Sequence, residues 1–84
     1  MVIKYMHEFL IEFEALESRI QKQLRKRLDE MHRSSLDGFP HEALQGKQFE
    51  GLYKFRAGDW RMIYRIIGKE VVFVTLGHRS DVYR

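Results

Sequence analysis

Hydrophobic and polar side chains alternate most regularly over residues 52–64, LYKFRAGDWRMIY. An alternation with a period of two predicts a strand with one buried and one exposed face. The pair Gly58-Asp59 interrupts the pattern at the spacing of a two-residue β-hairpin turn. Folding the chain there predicts five cross-strand pairs: Ala57–Trp60, Arg56–Arg61, Phe55–Met62, Lys54–Ile63 and Tyr53–Tyr64.

The predicted hairpin separates its side chains into two faces. One face is apolar and is expected to be core: Tyr53, Phe55, Met62 and Tyr64. The other face carries four cations with no acidic residue among them: Lys54, Arg56, Arg61 and Arg65. Any one of these cations could be an ordinary exposed strand residue that discourages aggregation. Like charges placed directly opposite each other destabilise a sheet, however, so the four cations together favour a bound anion.

Helical periodicity follows a short strand predicted at residues 2–6. A first amphipathic helix is predicted from about His7 to Leu16, and Ser18 with Gln21 matches a capping box that would begin a second helix. The apolar stripe of the second helix is Ile20, Leu24, Leu28 and Met31. The basic run 25–27 beside it is interpreted as a solvated helix face.

Turn-forming residues and the only proline are concentrated in residues 34–42, which predicts a loop. The run 71–76, VVFVTL, is the most strand-like of the chain and is expected in the interior of the sheet, after a second tight turn at Gly68-Lys69. The order βααβββ over residues 1–84 predicts one α+β domain. In it, a helical hairpin packs on one face of a small antiparallel sheet.

Composition narrows the class of protein. The chain has 84 residues, of which 44% are hydrophobic and 32% charged, and it has no cysteine, as expected for a globular domain in a reducing cytoplasm. No signal peptide or membrane segment is expected. The net charge of +3 is unevenly distributed, with −1 in residues 1–50 and +4 in residues 51–84. A basic sheet half containing aromatic residues indicates a nucleic acid or an acidic protein as partner.

Three segments together resemble the RelE/ParE toxin superfamily of toxin–antitoxin systems: Leu44-Gln45-Gly46, the run 52–64 and the terminal GHRSDVY. The resemblance covers nearly the whole chain, although Met6-His7 replaces the Ser/Thr-Pro that usually starts the first helix. It implies a small antiparallel sheet flanked by a helical hairpin. It also implies a RelB-like antitoxin as partner, with operator DNA contacted only through the toxin–antitoxin complex.

Within the superfamily, RelE-type toxins are ribosome-dependent endoribonucleases that cut mRNA in the A site. Their activity rests on a basic patch before the hairpin turn, an arginine after it, and a C-terminal arginine and tyrosine. The matching residues here are Lys54, Arg56, Arg61, Arg79 and Tyr83. The ParE branch, which poisons DNA gyrase, generally lacks the complete set, so the resemblance favours an RNase. A gyrase inhibitor and an inactive operator corepressor remain the alternatives.

RNA cleavage without a metal or cofactor needs an activated 2′-hydroxyl, charge stabilisation at the phosphate and a protonated leaving group. The resemblance assigns catalytic roles to Arg61, Arg79 and Tyr83, with Tyr83 as a base whose pKa neighbouring cations must lower. Substrate binding is predicted for Lys54 and Arg56 from the resemblance, for Arg65 from its place on the same hairpin face, and for His78. Arg79 is a possible proton donor for the leaving group, and His78 would be an easier acid near neutral pH. Trp60 is interpreted either as a base-stacking residue or as packing beside the turn. His7, His32 and His41 are given no metal role, because none has a second ligand-type residue at metal spacing.

Overall fold

The chain forms a five-stranded mixed sheet with two helices. The computed structural model describes residues 1–81, in which the strands are β1 (Val2–Tyr5), β2 (Glu42–Ala43), β3 (Leu52–Ala57), β4 (Trp60–Ile67) and β5 (Glu70–His78). The helices are α1 (His7–Glu14) and α2 (Ser18–His32), and a single 3-10 turn covers Lys47–Phe49. The strand order is β1-β5-β4-β3-β2, with β1 parallel to β5 and every other pair antiparallel. The α+β class is confirmed, while the parallel β1–β5 pair and the short β2 were not predicted.

The central hairpin has the predicted register. All five predicted pairs are present, from Tyr53 opposite Tyr64 to Ala57 opposite Trp60. Gly58 in the turn has a φ of 60°, in the left-handed region that glycine enters without the steric cost of a Cβ. Local alternation and turn chemistry therefore specify this part of the sheet.

The apolar face of the sheet and the stripe of α2 form one core. Its fully buried large side chains are Phe9, Leu24, Met31, Met62, Tyr64, Val71 and Phe73. Each such side chain contributes on the order of 1.5–3 kcal/mol through burial. Leu28 of the predicted stripe is also buried, and Ile20 packs at the margin. Neither helix in residues 1–81 is long and apolar enough to cross a membrane.

The start of α2 differs from the predicted capping box. Ser18 is the first residue of the helix, and Glu17 occupies the N-cap position without a side-chain cap hydrogen bond. The side-chain amide of Gln21 instead donates to the carbonyl oxygens of Phe13 at 2.9 Å and Glu14 at 3.4 Å. The capping box was therefore wrong: Gln21 donates to carbonyl groups in the last turn of α1, of which that of Phe13 also accepts from the backbone N–H of Leu16.

A β-bulge in β5 changes which face its side chains occupy. Phe73 and Thr75 lie opposite consecutive residues of β4, so Val74 between them has no partner there. Phe73 before the bulge and Leu76 after it both face the core, although their sequence positions differ in parity. Because alternation continues from Leu76, His78 lies on the face that the helices cover.

Candidate anion-binding site

The four predicted cations of β3 and β4 share the face of the sheet opposite the helices. Arg56 and Arg61 are directly opposite each other. Lys54 lies two pairs further from the turn, opposite Ile63. Arg65 lies four residues beyond Arg61, or about 13 Å at ~3.3 Å per residue. We call Lys54, Arg56, Arg61 and Arg65 the cationic row.

Glu42 of β2 places a carboxylate within the cationic row. Its Oε1 atom lies 3.3 Å from Nζ of Lys54 and also accepts a hydrogen bond from Nη2 of Arg56. The hydrogen bond from Arg56 is the main cause that lowers the pKa of the Glu42 carboxyl; desolvation opposes it, and Lys54 lowers the pKa further. The expectation of a row without an acidic residue was therefore wrong, because β2 pairs with β3 and carries Glu42 to the row.

Arg61 and Arg79 both contact the β3–β4 turn. Nη1 of Arg61 donates to the carbonyl oxygens of Gly58 at 2.8 Å and Trp60 at 3.1 Å. The backbone N–H of Arg79 donates to the carbonyl of Asp59 at 2.7 Å, and Nε of Arg79 lies 3.6 Å from Oδ1 of the same aspartate. The turn thus brings both predicted catalytic arginines to one end of the cationic row.

Arg27 adds a fifth cation beside the row. Its Nε atom donates to the carbonyl oxygen of Arg56 at 2.9 Å, and its guanidinium carbon lies 4.4 Å from the ring centroid of Phe55. The sequence interpretation of residues 25–27 as a solvated helix face was therefore wrong for this residue. A shallow cleft of about 190 Å³ lies between Arg27, Glu42 and Arg56.

His78 does not join the cationic row, because the bulge places it on the opposite face. Its ring lies edge-to-face against Trp60, with centroids 5.7 Å apart. The backbone N–H of Ser80 donates to Nδ1 of His78 at 3.3 Å, so the neutral ring carries its proton on Nε2. Its substrate-binding role stays a prediction. Tyr83 lies outside the described residues, and its catalytic role also stays a prediction.

His41 has a role in the structure that the sequence did not indicate. Its Nε2 lies 2.7 Å from the carbonyl oxygen of Leu36, and its Nδ1 lies 2.7 Å from the hydroxyl of Tyr64. A carbonyl can only accept, so Nε2 donates to it and Nδ1 accepts from the phenol. Burial, and secondarily the nearby Tyr53, raise the pKa of Tyr64. Tyr64 is therefore a protonated core residue, as expected.

A small sheet with a helical hairpin on one face and a cationic row on the other is the architecture that the resemblance to RelE/ParE toxins implies. The family model described as the ParE toxin of the type II toxin–antitoxin system parDE matches residues 3–83. The chain belongs to this ParE toxin family, and the resemblance to the superfamily is confirmed. No relative was found among curated protein sequences.

Solved structures of related toxins share the fold. YafQ from E. coli strain BL21(DE3) has a TM-score of 0.75 at 19% identity, covering 98% of this chain and 97% of that chain. The toxin–antitoxin complex RelB–RelE from Methanococcus jannaschii gives 0.72 at 18% identity, with coverages of 95% and 94%. The isolated E. coli RelE toxin is 26% identical, with a TM-score of 0.68 and coverages of 98% and 89%.

Proposed function

We propose that this toxin is an endoribonuclease that cleaves mRNA in the ribosomal A site and thereby stops translation. The observation that carries the proposal is the position of Arg56 directly opposite Arg61, with the side chains of Arg61 and Arg79 both in contact with the adjoining β3–β4 turn. Guanidinium groups bind phosphate oxygens in pairs of parallel hydrogen bonds. A phosphodiester is therefore the ligand that this arrangement fits best.

In the proposed reaction the ribose 2′-oxygen attacks the adjacent phosphorus and the 5′-oxygen of the next nucleotide leaves. The products are a 2′,3′-cyclic phosphate and a free 5′-hydroxyl. Arg61 and Arg79 stabilise the negative charge that develops on the phosphate oxygens. Tyr83 takes the 2′-hydroxyl proton, with its pKa lowered by the surrounding cations, and the leaving 5′-oxygen takes a proton from water to become the 5′-hydroxyl. Lys54 and Arg56 hold the flanking phosphate backbone.

The ribosome supplies orientation in this proposal. Within residues 1–81, the Arg61 side chain hydrogen-bonds to an exposed carbonyl of Gly58 and a partly buried carbonyl of Trp60, and water can replace the exposed contact when the arginine moves to a phosphate. Alignment of the 2′-oxygen with the scissile bond then comes from mRNA held in the decoding site. We therefore expect little cleavage of free RNA. A RelB-like antitoxin is the proposed partner, acting through an acidic segment over the cationic row or by displacing the element that carries Tyr83.

The test is expression of the toxin followed by mapping of mRNA 5′ ends, with and without prior phosphorylation of 5′-hydroxyls. The parent is expected to give kinase-dependent ends within translated codons. Arg61→Ala is expected to reduce cleavage by about 10²–10³-fold, the usual loss for one donor to a developing oxyanion. Lys69→Ala, an exposed cation at the far β4–β5 turn, is the matched control and is expected to cleave like the parent. Toxicity with intact mRNA would contradict the proposal.

Inhibition of an enzyme without RNA cleavage is the second candidate function, because the family model that matches the chain is that of the ParE toxins. ParE-type inhibition of DNA gyrase would produce DNA damage with intact mRNA. The two activities are therefore separated by the same expression experiment. A chain that causes neither effect would be an inactive toxin that acts with its antitoxin as a corepressor.

A further inference from the structure

A second cleft opens on the helix-covered side of the β3–β4 turn. It has a volume of about 430 Å³, within the range of small-ligand sites, and lies between the start of α2, the turn and the end of β5. Its lining residues are Glu17, Arg19, Ile20, Gln23, Gly58, Asp59, Trp60 and His78. The cationic row does not extend into it, because Trp60 and Arg61 are consecutive strand residues and face opposite sides of the sheet.

The cleft combines one aromatic surface with hydrogen-bonding groups of neutral side chains. Trp60 is half-buried, with part of its indole against the core and part lining the cleft. A Cβ at Gly58 would lie 2.6 Å from Nε2 of Gln23, so the glutamine amide lies directly against the turn. His78 contributes Nε2–H, since its Nδ1 accepts from Ser80. The β-bulge is what turns His78 from the cationic face into this cleft.

The charges of the residues that line this cleft favour a nucleobase over a phosphate as its ligand. Glu17 and Asp59 oppose the single cation Arg19, so the cleft carries no excess of positive charge. Phosphates are therefore attracted to the cationic row and not to this cleft. An indole face with an amide and an imidazole N–H is suited to a flat, uncharged heterocycle, which it can stack on and hydrogen-bond at the edge.

We infer that this cleft binds one unpaired nucleobase of an RNA strand whose phosphates lie on the cationic row. The base stacks on Trp60 while Gln23 and His78 hydrogen-bond to its edge. Arg61 connects the two surfaces, because its side chain bonds to the carbonyl of Trp60 at 3.1 Å. The inference rests on the proposed function for its RNA ligand, and it adds a base contact that sets which nucleotide lies beside the scissile phosphate.

The test uses the fact that Trp60 is the only tryptophan of the chain, so that its fluorescence reports on this cleft alone. The probe is a 2′-O-methyl RNA tetranucleotide, which lacks the nucleophile and cannot be cleaved. Its abasic counterpart, with the same phosphates, is the control ligand. We expect saturable quenching of Trp60 by the tetranucleotide and none by the abasic chain. Gln23→Leu should weaken binding about tenfold, whereas Gln45→Leu, at an exposed position outside the cleft, should not.

Equal quenching by the abasic chain, or unchanged affinity of Gln23→Leu, would overturn the inference. Circular dichroism establishes that each variant is folded before it is titrated. Because the probe cannot be cleaved and no ribosome is present, the result is independent of nuclease activity. Kinase-dependent mRNA ends without tetranucleotide quenching would leave the nuclease in place and remove only the base cleft.

Discussion

Replacing Glu42 tests whether its carboxylate occupies the position of a bound phosphate. One oxygen of Glu42 contacts both Lys54, at 3.3 Å, and Arg56. A phosphate oxygen approaching these two cations must displace that carboxylate. Glu42→Gln keeps the shape of the side chain but removes the negative charge that competes with RNA for Arg56 and Lys54, so binding of RNA should strengthen.

The expected change in the salt dependence of RNA binding follows from the number of cations that Glu42→Gln releases from the carboxylate. For single-stranded nucleic acid, log K falls with log salt concentration with a slope of about −0.7 for each neutralised phosphate. Release of one cation by Glu42→Gln should therefore steepen the slope by about 0.7, and release of both by about 1.4. Affinity should rise most at low salt, where the additional contacts are least screened.

Glu70→Gln is the matched control. Glu70 pairs with Lys4 at 3.1 Å across β5 and β1, beyond the Arg65 end of the cationic row and far from Arg56. Both exchanges remove one negative charge from the chain, so they change its long-range field alike. Fluorescence anisotropy with a labelled, non-cleavable single-stranded RNA at several salt concentrations measures both variants. The same slope and affinity for the two would refute the assignment of Glu42 to the anion position.

The lowered pKa of Glu42 also predicts how the effect of Glu42→Gln on the stability of the fold depends on pH. The carboxyl has a lower pKa in the folded chain than its ordinary value of 4.5. Its ion pairs therefore stabilise the fold above that value, and the contribution is lost as the pH falls through the folded pKa. The difference in urea midpoint between parent and Glu42→Gln should be small, because the pair is exposed, and should vanish in acid. A difference that persists in acid would point to a steric cause.

Two further pairs of exchanges test the turn and the core. Gly58→Ala and Gly68→Ala each force alanine to a φ near +60°, and each should cost about 1–2 kcal/mol in urea unfolding. Only Gly58→Ala displaces the Gln23 amide, so only this variant should also weaken the quenching of Trp60 fluorescence by the tetranucleotide. Equal effects of the two alanines on quenching would contradict this. Tyr64→Phe removes the buried hydroxyl that donates to the loop histidine and should cost about 1–3 kcal/mol, against little for Tyr53→Phe; equal losses would contradict this bond's contribution.

The hairpin could be predicted from the sequence because its determinants are local. Alternation on both sides of Gly58-Asp59 fixes the register, since a slip of one residue would turn every apolar side chain outward. The helical stripes follow from periodicity for the same reason. These elements provide most of the core and place the cations of β3 and β4 on one face.

Glu42 and the bulge could not be predicted, because both depend on contacts between distant segments. β2 is only two residues long, within a region rich in turn formers, and exists because the edge of β3 accepts it. The run 71–76 is apolar on both sides of Val74, so no alternation marks where the phase changes. A continuous alternation from Phe73 would place His78 with the cationic row.

The position of Arg61 is better explained by ligand binding than by the stability of the sheet. It lies directly opposite Arg56, and paired like charges are destabilising in a sheet. Glu42 relieves Arg56, whereas the Arg61 guanidinium, among residues 1–81, hydrogen-bonds only to backbone carbonyls of the turn. An acidic residue at either position would give a more stable sheet. In the proposed function, a phosphate between the two guanidinium groups would supply the missing negative charge, so loss of Arg61 should reduce cleavage by about 10²–10³-fold without lowering the stability of the fold.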